Sequence, residues 1–79
     1  MTEGNVQKQL IDHIERASDR SVDPDTDLVE ERVFDSMGFI ELVLWVEERF
    51  GVTFEADELE VAFVSVAKIA ASVVKKSAS

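Results

Sequence analysis

In Phe34-Asp35-Ser36-Met37-Gly38, residue type and position together suggest covalent chemistry. Ser36 falls where a stretch of helical apolar spacing begins, so its hydroxyl stands at an expected helix start. Helix N-termini present N–H groups without intrahelical partners and a partial positive charge, which favours a covalently held phosphate. A serine so placed is most often only a cap, and either Asp35 or Ser36 can supply the capping oxygen. Gly38 strengthens the chemical reading. Glycine inside a helix costs about 1 kcal/mol relative to alanine, and local rules are broken most often at functional sites. Its missing side chain either admits a bulky group or partner, or serves tight helix packing.

Other chemistries fare worse. His13 is the sole histidine and there is no cysteine, so no nucleophile–base pair at helical spacing is available. Glu47-Glu48 and Glu30-Glu31 are adjacent in sequence, so the carboxylates diverge and read as solvated charge. Asp23-Pro24-Asp25-Thr26-Asp27 imitates the start of a calcium loop, but such loops need glycine at position six and glutamate at position twelve. Leu28 and Phe34 stand there instead. No catalytic residue and no metal site is expected, and the chain is not read as an enzyme.

Composition narrows the partners. Seventeen acids against eight bases give a net charge of −9, which repels nucleic acid and anionic membranes and favours basic protein surfaces. The acids cluster: from Asp35 to Glu60 there are eight, against Arg49 as the one base. No apolar run approaches a membrane span, and the start of the chain lacks the basic and apolar regions of a secretory signal. A cytoplasmic monomer is expected. With 79 residues, 46% of them hydrophobic and none of them cysteine, the chain reads as one domain over 1–79, with frayed ends at about 1–4 and 77–79 and a core that must hold without staples.

The elements that position Ser36 are helical. Val6, Leu10, Ile11, Ile14 and Ala17 recur at three-to-four spacing, one apolar face of a first helix that Asn5 can cap. With Lys8 three residues further on, no reciprocal capping box completes that start. From Ser18 to about Val33 runs a long loop with Pro24, anchored by Val22, Leu28 and Val29. A second helix spans about Ser36 to Phe50, closed by Gly51 as a left-handed residue with Val52 as its apolar follower. Asp57 to Val61 forms a short helix or turn. Ser65 caps a last helix, where Val66, Ile69, Ala70, Val73 and Val74 face inward and Lys75 and Lys76 suit the negative helix end. No segment reads convincingly as a strand. The fold class is all-α: a small four-helix bundle of three longer helices and one short one, with a long loop between the first and second.

The second helix has two apolar faces. At about 100° per residue, Phe39, Leu42, Val43, Val46 and Phe50 form the core stripe. Met37, Ile40 and Leu44 fall opposite, with Glu41 and Glu48 beside them and Trp45 at the flank. Other helices could bury both stripes. An exposed apolar strip edged with carboxylates, suited to basic and apolar grooves on partners, is the preferred reading.

Asp35-Ser36-Met37, followed by Glu41-Leu42-Val43 and Glu47-Glu48-Arg49-Phe50, resembles the Asp-Ser-Leu/Met signature and second helix of acyl carrier proteins. The resemblance extends over the first amphipathic helix, the loop with Leu28, the acidic region after Phe54 and the last helix. It implies a 4'-phosphopantetheine arm moved from coenzyme A onto Ser36 by a phosphopantetheinyl transferase, with acyl or aminoacyl cargo held as a thioester. It further implies that Asp35 helps position metal and transferase. Met37, Glu41, Leu44 and Glu48 match the family's partner face, which Ile40 and Trp45 adjoin here, and Asp57, Glu58 and Glu60 resemble its acidic third helix. Acyltransferases, ligases or synthases with basic and apolar docking surfaces are the implied partners. Gly38-Phe39 and Trp45 depart from housekeeping fatty-acid carriers, and the Gly-Gly-x-Ser pattern of peptide-synthetase carriers is absent. The chain therefore leans towards specialised polyketide or mixed polyketide–amino acid biosynthesis. A housekeeping fatty-acid carrier, a D-alanyl-type carrier and, from another class, a non-covalent acidic helical adaptor remain open.

Overall fold

A computed structural model describes residues 2–77 as four helices with no strand among them. They are α1 (Glu3–Ser18), α2 (Ser36–Phe50), α3 (Ala56–Ala62) and α4 (Val66–Ser77). The all-α four-helix reading holds, and α2 has the expected bounds. Glu3, Gly4 and Ser77, expected at frayed ends, are helical; Met1, Ala78 and Ser79 lie outside the described residues.

α1 begins earlier than the Asn5 cap implied. Thr2 is the capping residue, its Oγ1 accepting from the Asn5 N–H at 3.2 Å, so Asn5 lies within the first turn. Val6, Leu10 and Ile14 are fully buried along one stripe. Ala17 is exposed, because α1 ends beyond the reach of the core, and it borders a surface notch beside α2.

The stripe of α1 packs most extensively on α4, whose Val66, Ile69, Ala70 and Val73 are likewise fully buried, with Val74 partly so. α2 adds Leu42 and Val46 to this core, and its Phe39, Val43, Trp45 and Phe50 pack against it partly buried. Phe63, just after α3, links the aromatic side chains, with ring centroids 5.8 Å from Phe39 and 5.1 Å from Phe54, both edge-on.

The long loop is stitched to the start of α4: Leu28 N–H donates to the Val64 carbonyl at 2.7 Å, and Ala67 N–H to the Pro24 carbonyl at 2.9 Å. Its buried anchors are Val22, Leu28 and Val33. Val29, expected as an anchor, is 67% exposed. The Asp27 carboxylate receives the N–H groups of both Val29 and Glu30, a turn that throws the Val29 side chain outward. No group of acids that could hold a metal occurs among the described residues, and no helix is long and apolar enough to cross a membrane.

The helix ends follow local chemistry. Gly51 adopts φ 67°, the left-handed closure expected for α2, with Val52 buried behind it. Ser65 Oγ accepts from the Lys68 N–H at 3.2 Å and caps α4. Glu55 and Glu58 form a reciprocal capping box on α3. Lys76 closes the bundle by donating to Glu58 at 2.7 Å. This bond, seconded by the Glu55 N–H, holds the Glu58 carboxyl below its ordinary value of 4.5. A carboxylate depressed in the folded state stabilises above its ordinary value, and that contribution fades as pH falls through the folded value. Lys76→Met is therefore expected to raise the Glu58 midpoint in a carboxyl NMR titration and to destabilise the fold slightly at neutral pH but not in acid. An unmoved midpoint would contradict the pairing.

Candidate functional site

Asp35 precedes α2 in an extended conformation (φ −83°, ψ −176°), and its Oδ1 accepts from the Gly38 N–H at 2.7 Å. Its carbonyl accepts from the Phe39 N–H at 2.9 Å. The cap is thus Asp35, and Ser36 is the first helical residue, exposed, with no hydrogen bond to its hydroxyl among the described residues. The N–H groups of Ser36 and Met37 stay unclaimed by the helix, as geometry requires at an N-terminus. An exposed hydroxyl beside free donors and the positive end of a 15-residue helix is chemically suited to becoming a phosphate ester.

Gly38 resolves in favour of packing. A Cβ there would stand 3.0 Å from Phe34 Cδ1 and 3.2 Å from the capping Asp35 Oδ1, so the missing side chain makes room for the chain's own phenyl ring and cap. Asp35→Ala should lower stability by about 1 kcal/mol by orphaning the Gly38 N–H, whereas Asp35→Asn, itself a good cap, should be near neutral. Urea unfolding followed by circular dichroism separates the two. Equal losses would mean that the carboxylate charge, not the cap, holds α2.

Beside Ser36 opens an apolar hollow of about 490 Å³, walled by Leu28, Val29, Phe34, Phe39, Ile40, Leu42 and Phe63. Phe34 and Phe63 were not singled out from sequence, and Val29 was assigned to the core. The only local hint was an apolar residue, Phe34, directly before the Asp-Ser pair.

The second stripe of α2 is exposed: Met37 68%, Ile40 57% and Leu44 56%, against 2% for Leu42 on the core side. Glu41 and Glu48 stand exposed beside it, and neither is ion-paired among the described residues. Trp45 is half-buried and stacks on His13 of α1, ring centroids 4.0 Å apart and nearly parallel. Burial, with help from Arg16 and against Asp12, lowers the His13 pKa below its ordinary 6.5. On α3, Asp57 and Glu60 are exposed, and the half-exposed Glu58 is bonded to Lys76 and to the Glu55 N–H of the capping box. Val61 of the same helix, missed from sequence because its segment is too short to show a period, is 68% exposed.

The fold and this helix start define a small helical carrier. Over residues 8–73 the chain matches the family described as the phosphopantetheine attachment site, and it belongs to that family. It is a carrier domain of the acyl carrier protein type, and members hold 4'-phosphopantetheine covalently and work with a phosphopantetheinyl transferase and partner enzymes. Neither the curated proteins nor the solved structures include a match to it.

Proposed function

We propose that Ser36 carries the phosphopantetheine arm and that the chain shuttles acyl or aminoacyl groups between enzymes without catalysing a reaction itself. One observation carries the assignment: Ser36 is an exposed serine at a helix start whose hydroxyl has no hydrogen-bond partner among the described residues. The hydroxyls of Ser18 and Ser77 donate to carbonyls one turn back, and Ser65 is buried as a cap. Ser21 lies in the long loop and Ser72 within α4, away from any helix start.

The residues present fit the arm. The Ser36 oxygen attacks the phosphorus of coenzyme A nearer the pantetheine. One P–O bond forms, the pyrophosphate P–O bond breaks, 3',5'-ADP leaves, and the hydroxyl proton passes to a base of the transferase. When bound, the arm supplies a terminal thiol that holds cargo as a thioester. The Ser36 and Met37 N–H groups and the dipole of α2 favour the new phosphodiester charge. Asp35 keeps this turn in register and offers the transferase a carboxylate beside the reacting oxygen. The hollow walled by Phe39 and Phe63 offers apolar cover to cargo.

Met37, Ile40, Glu41, Leu44, Trp45 and Glu48, with Asp57, Glu58 and Glu60, form the docking side, and Glu58 shares its charge there with Lys76. Acyltransferases, ligases or synthases with basic, apolar docking surfaces suit it. Gly38-Phe39 and Trp45 support a specialised polyketide or mixed polyketide–amino acid pathway, with the protein acting as a cytoplasmic monomer. The test is intact-mass spectrometry after incubation with a phosphopantetheinyl transferase and coenzyme A. One added arm, mapped by fragmentation to Ser36, is expected. An arm on another residue would overturn the site assignment.

A further inference from the structure

Phe34 stands where three hollows meet. It borders the apolar hollow beside Ser36, a notch of about 340 Å³ that reaches His13 on α1 and Trp45 on α2, and a third hollow of about 350 Å³ by Ala17 and Met37. Ser36 borders the apolar hollow and neither of the other two. Leu42, almost fully buried, borders both the hollow and the notch. Those two spaces therefore flank α2, with Phe34 and Leu42 between them. Two features keep the Phe34 ring in place. It lies against the first turn of α2 in the room that Gly38 leaves, its Cδ1 and Cβ 3.0 and 3.4 Å from where a Cβ on Gly38 would stand. The backbone is also tied on either side: Val33 N–H donates to the Leu28 carbonyl at 3.1 Å, and the Asp35 carboxylate accepts from Gly38 N–H at 2.7 Å. Arg20 adds a bond to the Glu31 carbonyl at 2.7 Å. A half-buried ring between two such ties has little freedom to swing away.

We propose that Phe34 is a positioning residue that decides on which side of α2 a group tethered at Ser36 lies, holding it over the Phe39–Phe63 hollow and out of the notch between α1 and α2. Its use in the cell rests on the carrier reading above, whereas the steering itself depends only on the surroundings of residue 36. The physical reason is a wall. Beneath α2, the way from Ser36 to the notch is filled by the Phe34 ring and Leu42. Round the start of α2 it leads through the third hollow, edged by the Asp35 and Glu41 carboxylates, where an apolar group gains little by leaving its own side. The hollow beside Ser36 is open to the tether from the outset and walled by Val29, Ile40 and the two phenyl rings, so apolar surface is covered there first.

The chain has no cysteine and one tryptophan, which allows a test that needs no transferase. Ser36→Cys supplies a single thiol, which N-hexyl iodoacetamide alkylates: an S–C bond forms, iodide leaves, and the thiol proton passes to the buffer. On tethering, methyl and ring NMR shifts should gather at Val29, Ile40 and Phe63, and the emission of Trp45, which reports the notch, should stay where it was. With Phe34→Ala added, part of those shifts should move to Ala17, Leu44 and Trp45, and Trp45 emission should change on tethering. Phe34→Leu, narrower but still apolar, should show the same redistribution in smaller measure, and it decides the matter if circular dichroism finds the alanine variant unfolded. A ring that only packs would alter stability without moving the tether from one side of α2 to the other. A tether already at Trp45 with Phe34 in place, or one that stays over Phe63 in the folded Phe34 variants, would overturn the proposal. The two ideas fail separately. A chain that steers the hexyl group but takes no arm at Ser36 loses only the carrier assignment, and one modified at Ser36 whose tether ignores Phe34 loses only the positioning role.

Discussion

Ser36→Ala is expected to take up no phosphopantetheine from coenzyme A under conditions that convert the parent chain fully, while unfolding at the same urea concentration. The two halves of this result come from different features of one helix start. Modification needs an oxygen nucleophile at that place, and alanine has none, so the loss is total rather than graded. Stability should hold because the cap is the Asp35 carboxylate, bonded to the Gly38 N–H, and the Ser36 hydroxyl makes no hydrogen bond among the described residues. Exposed substitutions away from such features usually stay within about 0.5 kcal/mol, and alanine is the better helix former. Intact mass and circular dichroism check the halves independently. A variant that is still modified would move the arm elsewhere, and one that unfolds would make Ser36 part of the scaffold.

Ile69→Ala should have the largest effect on the fold. Ile69 is fully buried on α4, the helix that packs most extensively on α1, in one core with Val6, Leu10 and Ile14. Removing a buried isoleucine side chain to alanine costs roughly 2–5 kcal/mol, part lost transfer energy and part cavity. A domain of 79 residues holds about 4–12 kcal/mol in total at 0.05–0.15 kcal/mol per residue. One substitution thus removes a large share, and no disulfide is present to compensate. The urea midpoint should fall steeply, and modification at Ser36 should fail wherever the variant is unfolded. An unchanged midpoint would mean that the α1–α4 contact is not what holds the bundle. Loss of modification in Ile69→Ala alone says nothing about Ser36, which is why the two variants belong together.

Features that depend on neighbours within a turn or two were legible in the chain alone. α2 ran from Ser36 to Phe50 as expected because its signals are local: an acid that can cap, a stripe at helical spacing, and Gly51 where a left-handed residue is needed. The exposed strip of Met37, Ile40 and Leu44 was legible for the same reason, since a helix cannot turn two opposite stripes to one small core. The place of Ser36 at the start of α2 followed from the same signals. Where a helix began among several capping residues was harder, and α1 took Thr2 rather than Asn5. Which groups are already engaged emerged from packing between distant segments. Glu58 reads like its acidic neighbours until Lys76, 18 residues away, donates to it. Val29 and Val33 are both plausible anchors in a loop without a period, and packing buried one and exposed the other. The His13–Trp45 stack and the Phe63 wall of the hollow join residues from separate elements. Periodicity orients a side chain about its own helix axis, but what stands opposite depends on how distant segments dock, and no local pattern encodes that.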